Sequence, residues 1–358
     1  MTKIKAFITH KMAEKYEDCQ DSFNINSENR AIAVADGVSQ SIFPKQWADL
    51  LTSSFVRDKK FSLTSEGKVK EIRASWFQFF KKELERQQKA NSPIVWHLEN
   101  CFNVGKSAGA TLVGIRIKKS EKIWSPFSSV EYEVEYEVLG DSCLIVVKDD
   151  AVKAQISSKP DGAEFDNYPD YIDSNITIGM KGTPKKGKIG HLSNGDKLLL
   201  VTDALSDKFN EERNKPDKGK SFIKQINKIA NDADFVKFVD DLRKEGMSND
   251  DTTLVCIELD KNENFEIVYE TPLNRYIEEE KENTAIESIQ ENEQLSSDTE
   301  NKNETDNLTK LIEVDIESFV KHVKLLQITQ DKLISYFDTH KGEFIDKILK
   351  RFNEIKTK

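Results

Sequence analysis

The sequence predicts an α+β layered domain, followed by an acidic linker and a short helical tail. Three observations carry that reading. Short runs rich in Val, Ile, Leu and Tyr recur with turn signals as far as Tyr269. The helical blocks are segregated among those runs, which argues against a parallel doubly wound sheet. From Asn274 the composition turns to Glu, Asn, Ser, Thr and Lys, with almost nothing to bury. The boundaries fall at 1–269 for the layered domain, 270–309 for a flexible, disordered linker and 310–358 for the helical tail.

Taken in order, the first strand signal is "AIAVAD", Ala31 to Asp36. Two helices are expected next, Lys45 to Phe61 and Glu66 to Gln88, the second with Ile72, Trp76, Phe79 and Phe80 at helical spacing. "GATLVGIRI" and "VEYEVEYEVLGDSCLIVVKDD" read as strands, and the Glu alternation in Val130 to Val138 marks one wet face. "DKLLLVTDA", a helical block from Ser221 to Arg243, "DDTTLVCIEL" and "FEIVYE" complete the domain. In the tail, Ile316, Phe319, Val323, Leu326, Leu333, Phe337, Phe344, Ile348 and Phe352 suggest short amphipathic helices broken near Thr329 and Gly342.

The 358 residues suit one large domain, or a domain of roughly 250 residues with an appendage. Apolar residues make up 37%, enough for a core, while 32% charged residues imply a solvated segment. A net charge of −10 argues against nucleic-acid binding and fits a protein that recruits cations. Cys19, Cys101, Cys143 and Cys256 form no CxxC pair, so reduced thiols are expected, with Cys143 and Cys256 in the core. The stretch "MTKIKAFITHK" has no continuous apolar region and no run reaches membrane-span length, so a cytoplasmic protein without membrane contact is expected.

The chemistry lies in acids at strand edges. Asp36 and Asp203 close apolar runs, Asp141 sits on a Gly-Asp-Ser turn between two, Asp250 and Asp251 open one, and Asp21 precedes another. Each alone is an ordinary turn or cap residue. Five such edges brought to one place would form a cluster of hard oxygen ligands, tolerable only when cations neutralise it.

The ordered set "QDS", "ADG", "GATL", "GDS", "TDA" and "DDTT" resembles the PP2C-type (PPM) metal-dependent protein serine/threonine phosphatases across roughly residues 5 to 260. The segment "ITHKMAEKYEDCQDSF" is similar to a bacterial branch of that family. The resemblance implies a four-layer α-β-β-α sandwich with two antiparallel sheets. It implies hydrolysis of phosphoserine and phosphothreonine by a metal-bridged hydroxide, reversing a cellular kinase. Two Mn²⁺ or Mg²⁺ ions, with a third weaker one, would serve as cofactors. By motif, Asp36 would bridge two ions, the Gly37 carbonyl would complete a shell, and Asp203 and Asp250 would be ligands. Asp21 would act through water, Asp141 with Asp203 would hold the third ion, and Asp251 ranks below Asp250. Gly37 is expected to let the backbone turn its own oxygen toward the metal.

The chain departs from the family in three places. "DGVSQS" carries no histidine after Gly37, Tyr16 stands where relatives place a phosphate-binding Arg, and Ala204 replaces a glycine. His10 and Lys11 are the candidate substitutes, one to donate a proton and one to hold a phosphate oxygen. Ala204 is a conservative change where the backbone has negative φ. Ser39, Gln40 and Ser41 read as caps for the helix after Pro44. Thr111, Thr252 and Thr253 read as supporting strand residues, His97, His191, His322 and His340 match no motif, and the four tryptophans read as core.

Two competing functions stand beside a protein phosphatase. One is a pseudophosphatase that binds phosphoproteins without turnover; the other is a phosphatase of small phosphomonoesters. No Cys-x5-Arg pocket points to thiol chemistry. The partners implied are a phosphoprotein substrate and a cognate kinase, with the tail helices as a docking element for a partner protein or a merely solvated extension.

Overall fold

The computed structural model describes residues 1–120, 131–159, 170–175, 177–262 and 264–272. The expected tail, the linker beyond its first three residues, and Trp124 lie outside the described residues.

The first half runs β1 (Thr2–Thr9), β2 (Ser22–Asn26), β3 (Ala31–Ala35), α1 (Pro44–Arg57), α2 (Glu66–Lys89), α3 (Val95–Asn103), β4 (Gly109–Ala110) and β5 (Leu112–Ser120). It continues with β6 (Glu131–Leu139), β7 (Cys143–Lys148), β8 (Ala151–Ile156), β9 (Tyr171–Asp173), β10 (Met180–Lys181), β11 (Lys185–Leu192) and β12 (Lys197–Val201). Last come α4 (Asp203–Arg213), α5 (Lys220–Asn227), α6 (Asp232–Lys244), β13 (Thr252–Glu258) and β14 (Phe265–Glu270).

Two sheets carry the domain, ordered β14-β1-β13-β12-β7-β8 and β11-β6-β5-β3-β2. Every pairing in them is antiparallel except β14 with β1, which is parallel. A small third sheet, β10-β9-β4, joins β3's exit through an isolated bridge between Gly37 and Ala110.

Period-two alternation sorts each strand into two cores. Ile32 and Val34 of β3, Leu198 and Leu200 of β12, and Val255 and Ile257 of β13 fill the space between the sheets. Their neighbours face outward to helices: Ala31, Ala33 and Ala35 pack on Trp47, Leu51 and Phe55 of α1. Leu199 and Val201 pack on Phe209, Phe222 and Phe235 of α4 to α6. The layers are therefore helix, sheet, sheet, helix. Small residues admit α1 closely; a Cβ on Gly114 would meet the Phe55 ring at 2.5 Å.

Some expectations change. The block Ser221 to Arg243 is two helices, α5 and α6, with Asn231 capping the second by accepting from the Asp234 amide at 3.0 Å. α3, of nine residues, and α4, of eleven, are not anticipated from the sequence. Trp47 and Trp76 are buried, but Trp96 is 75% exposed and is no core residue. Cys143 is fully buried and Cys256 half-buried. Ser39, Gln40 and Ser41 do not cap α1. Its first turn follows Phe43 at φ 52°, with no side-chain cap, and the Ser41 hydroxyl donates to the Val38 carbonyl at 2.7 Å. Thr271, just past β14, is buried, and its hydroxyl donates to Asp232 at 2.6 Å. Among the described residues, no helix is long and apolar enough to cross a membrane.

Candidate active site

Strand register brings the acids together. In the larger sheet Val201 faces Leu254 on one side and Cys143 on the other, and Thr9 faces Thr252. The exits of β1 and β12 and the entries of β7 and β13 therefore lie at one end. His10 and Lys11, Asp203, Asp141, and Asp250 with Asp251 sit just beyond those positions. In the smaller sheet Ser22 faces Ala35, Val34 faces Val113, and Leu112 faces Leu139. That puts Asp21, Asp36 and Thr111 at an end that also holds the Gly140–Asp141 turn.

Buried hydroxyls tie the acid-bearing segments to one another. Asp21 is fully buried, and its Oδ2 accepts from the hydroxyls of Thr202 at 2.9 Å and Thr253 at 2.7 Å. Its Oδ1 is buried with no hydrogen-bond partner. Thr111 accepts the Asp36 amide at 3.0 Å, donates its own amide to the Asp36 carbonyl at 2.8 Å, and shares a 2.7 Å bond with Ser142. Asp203 opens α4, where the helix dipole favours an acid, and accepts the Ala204 amide at 2.6 Å. Ala204 is not among the positive-φ residues, so the alanine is accommodated without strain.

The electrostatics follow from burial and crowding. Burial pushes the Asp21 carboxyl up to about 8, with Asp251 adding to the shift and the two threonine hydroxyls opposing it. Burial also lifts Asp36 well above the ordinary range, helped by Asp203, Asp21, Asp141 and Asp250. Asp203 is lifted by burial and then by Asp250, Asp141 and Asp21. Asp36 and Asp203 thus each lie within electrostatic reach of Asp21, Asp141 and Asp250, which start on separate chain segments.

Gly37, Asp251 and Tyr16 have structural roles beside the acids. Gly37 has no positive φ; a Cβ there would meet Pro44 Cβ at 2.8 Å and the Gln20 carbonyl at 2.9 Å, so close approach requires the glycine. Both oxygens of Asp251 are taken by main-chain amides, Lys11 at 3.0 Å and Gln20 at 2.8 Å, which makes it a strap between segments. Tyr16 is buried and edges against the His10 ring at 4.4 Å, so it is packing in the place expected of an anion-binding Arg.

His10 and Lys11 both stand at the rim. His10 Nδ1 lies 2.7 Å from the Lys11 carbonyl, which can only accept, so Nδ1 carries a proton. Lys11 Nζ pairs with Asp250 Oδ1 at 3.0 Å and donates to Ser39 Oγ at 3.2 Å. Burial lowers the Lys11 pKa, but Asp250 and Asp251 outweigh it and the ammonium is held charged. Sequence reasoning missed Arg243 on α6, whose guanidinium donates to the carbonyls of His10 at 2.9 Å and Asp250 at 2.8 Å. A lone Arg in a helical block gives no sequence signal of that kind.

The donor set is one of hard oxygens, suited to Mg²⁺ or Mn²⁺. Among the described residues, no group of three or more His, Cys, Asp or Glu side chains is arranged so that it could hold a metal ion by itself. Water would complete any shell, as Mg²⁺ sites commonly require.

The α-β-β-α layering is the one a PP2C-type chain implies. No family model and no curated protein matches the chain. Solved structures similar to it include the photosystem II phosphatase PBCP, at 15% identity over 73% of this chain and 100% of that one, TM-score 0.43. The serine/threonine phosphatase Stp1 from Staphylococcus aureus is 13% identical over 73% and 96%, TM-score 0.40. The PPM Ser-Thr phosphatase MsPP from Mycobacterium smegmatis is 15% identical over 72% and 97%, TM-score 0.37.

Proposed function

We propose that this chain is a PP2C-type, metal-dependent protein phosphatase acting on phosphoserine and phosphothreonine. The observation that carries the reading is the register, which delivers Asp21, Asp36, Asp141, Asp203 and Asp250 to one end of the sandwich. A cluster of acids this crowded costs stability unless cations share it. The partnerless Oδ1 of Asp21 supports the same reading.

Asp36, the Gly37 carbonyl, Asp203 and Asp250 would hold two Mn²⁺ or Mg²⁺ ions, with Asp21 reaching them through water and Asp141 serving a third. Divalent ions bound there supply a water of lowered pKa and offset phosphoryl charge. Lys11 adds a cation at the rim where a phosphoryl oxygen would arrive. His10, with its Nδ1 proton fixed on a carbonyl, leaves Nε2 as the nitrogen that would, in the doubly protonated ring, pass a proton to a leaving group. A phosphoprotein substrate, an opposing kinase and a cytoplasmic setting belong to this reading.

The test is hydrolysis of a phosphothreonine peptide by the full chain with Mn²⁺ and then with EDTA. Turnover is expected with Mn²⁺ and none with EDTA. Asp36→Asn and Asp203→Asn are each expected to lose at least about 10²-fold in kcat while remaining folded. Unchanged turnover in either variant would remove the metal assignment.

A further inference from the structure

Lys11 meets Asp250 because their main chains are clamped together, so the contact does not depend on a long side chain swinging across. Arg243, its side chain only 4% exposed, uses Nη2 to hold the carbonyls of His10 and Asp250 at 2.9 and 2.8 Å. Asp251 accepts the Lys11 amide at 3.0 Å, and Asn249 Oδ1 accepts the Met12 amide at 2.8 Å. Residues 10–12 and 249–251 are thereby fixed side by side. From that base the Lys11 ammonium lies 3.0 Å from Asp250 Oδ1, and its side chain is 15% exposed. Its other partner, Ser39 at 3.2 Å, stands on the loop just after Asp36 and Gly37.

We propose that Lys11 is a resident counter-ion of the acid cluster, which neutralises Asp250 and competes with a divalent cation for that carboxylate. The inference rests on the metal reading above. A cation that takes Asp250 as ligand must displace the ammonium, which keeps Ser39 as its remaining partner. Ion affinity at Asp250 is therefore lower than the number of carboxylates implies. The same pair spares the protein part of the repulsion among its acids when metal is scarce.

The experiment is calorimetric titration of MnCl₂ into the full chain after EDTA removal, for wild type, Lys11→Met and Lys11→Arg. Lys11→Met is expected to bind Mn²⁺ about tenfold more tightly at the weaker step, the effect of removing a partly screened charge pair. Lys11→Arg is expected to titrate like wild type. In thermal melts with EDTA, Lys11→Met should melt below wild type, and saturating Mn²⁺ should close that gap. If Lys11→Met does not fold, Lys11→Gln is read in the same way. Equal or weaker Mn²⁺ affinity, or a gap that Mn²⁺ leaves open, would overturn the counter-ion role and leave the metal reading standing. No Mn²⁺ binding by wild type or any variant would overturn both.

Discussion

Leu200 and Asp203 belong to one short run of chain, yet they occupy opposite environments. Leu200 is fully buried between the sheets among Val, Ile and Leu side chains. Asp203, three residues on, has its pKa lifted by burial and then by the other carboxyl groups it faces. β3 repeats the contrast, with Val34 in the inter-sheet core and Asp36 in the cluster. The sandwich interior supplies stability by burying apolar surface, and the acid-bearing end spends some of it. The two regions should therefore answer opposite kinds of perturbation.

The largest effect should come from the core. Leu200→Ala leaves a cavity between the sheets and is expected to lower stability by about 2–5 kcal/mol, measured by urea unfolding. Its Mn²⁺ affinity should match wild type while the protein remains folded; a large loss of affinity would mean that core and cluster are not separable.

A smaller loss is expected where the two regions touch. Gly37→Ala drives a Cβ into Pro44 and the Gln20 carbonyl, at a cost of about 1–3 kcal/mol. Because Gly37 also lies beside Asp36, this variant should lose phosphopeptide turnover as well. Loss of stability with full turnover would separate the glycine's packing role from the site.

The smallest effect tests the sign of the cluster's contribution. The Asp21 carboxyl has a higher pKa when folded, about 8 against an ordinary 3.8, so the folded state binds more protons between those values. Stability in EDTA should then fall as pH rises from near 4 to about 8, and level off above. Asp21→Asn should remove much of that slope and be the more stable protein at pH values above about 8. Mn²⁺ should flatten the wild-type slope, since ion binding favours the deprotonated acids. A metal-free slope of opposite sign would show that the acids stabilise the fold by themselves.

Much of this architecture was legible in the residues. Continuous apolar runs placed β3, β7, β12 and β13, which are buried on both faces, and alternation placed β6. The acids at their ends were legible for the same reason, standing out where an apolar run stops. α3 was missed, and the break between α5 and α6 went unseen, because short helices are decided by packing more than by periodicity. The assumed helix caps at Ser39 to Ser41 failed because Phe43 enters α1 in a left-handed conformation that no local propensity announces. Asp251 already ranked below Asp250, but its role as a strap was not legible, because adjacent acids carry no mark of which oxygen meets an amide.

The sequence by itself determined the layered α+β class, the two separate helical regions, and the list of acids at strand edges. Hydrophobic period and turn chemistry are local, and local physics is written residue by residue. Only the tertiary structure decided which acid is a strap, why position 37 must be glycine, and that Arg243 and Lys11 reach Asp250. Those depend on contacts between segments as distant as Lys11 and Asp251, where geometry is set by the register of whole sheets and by no neighbour in the chain.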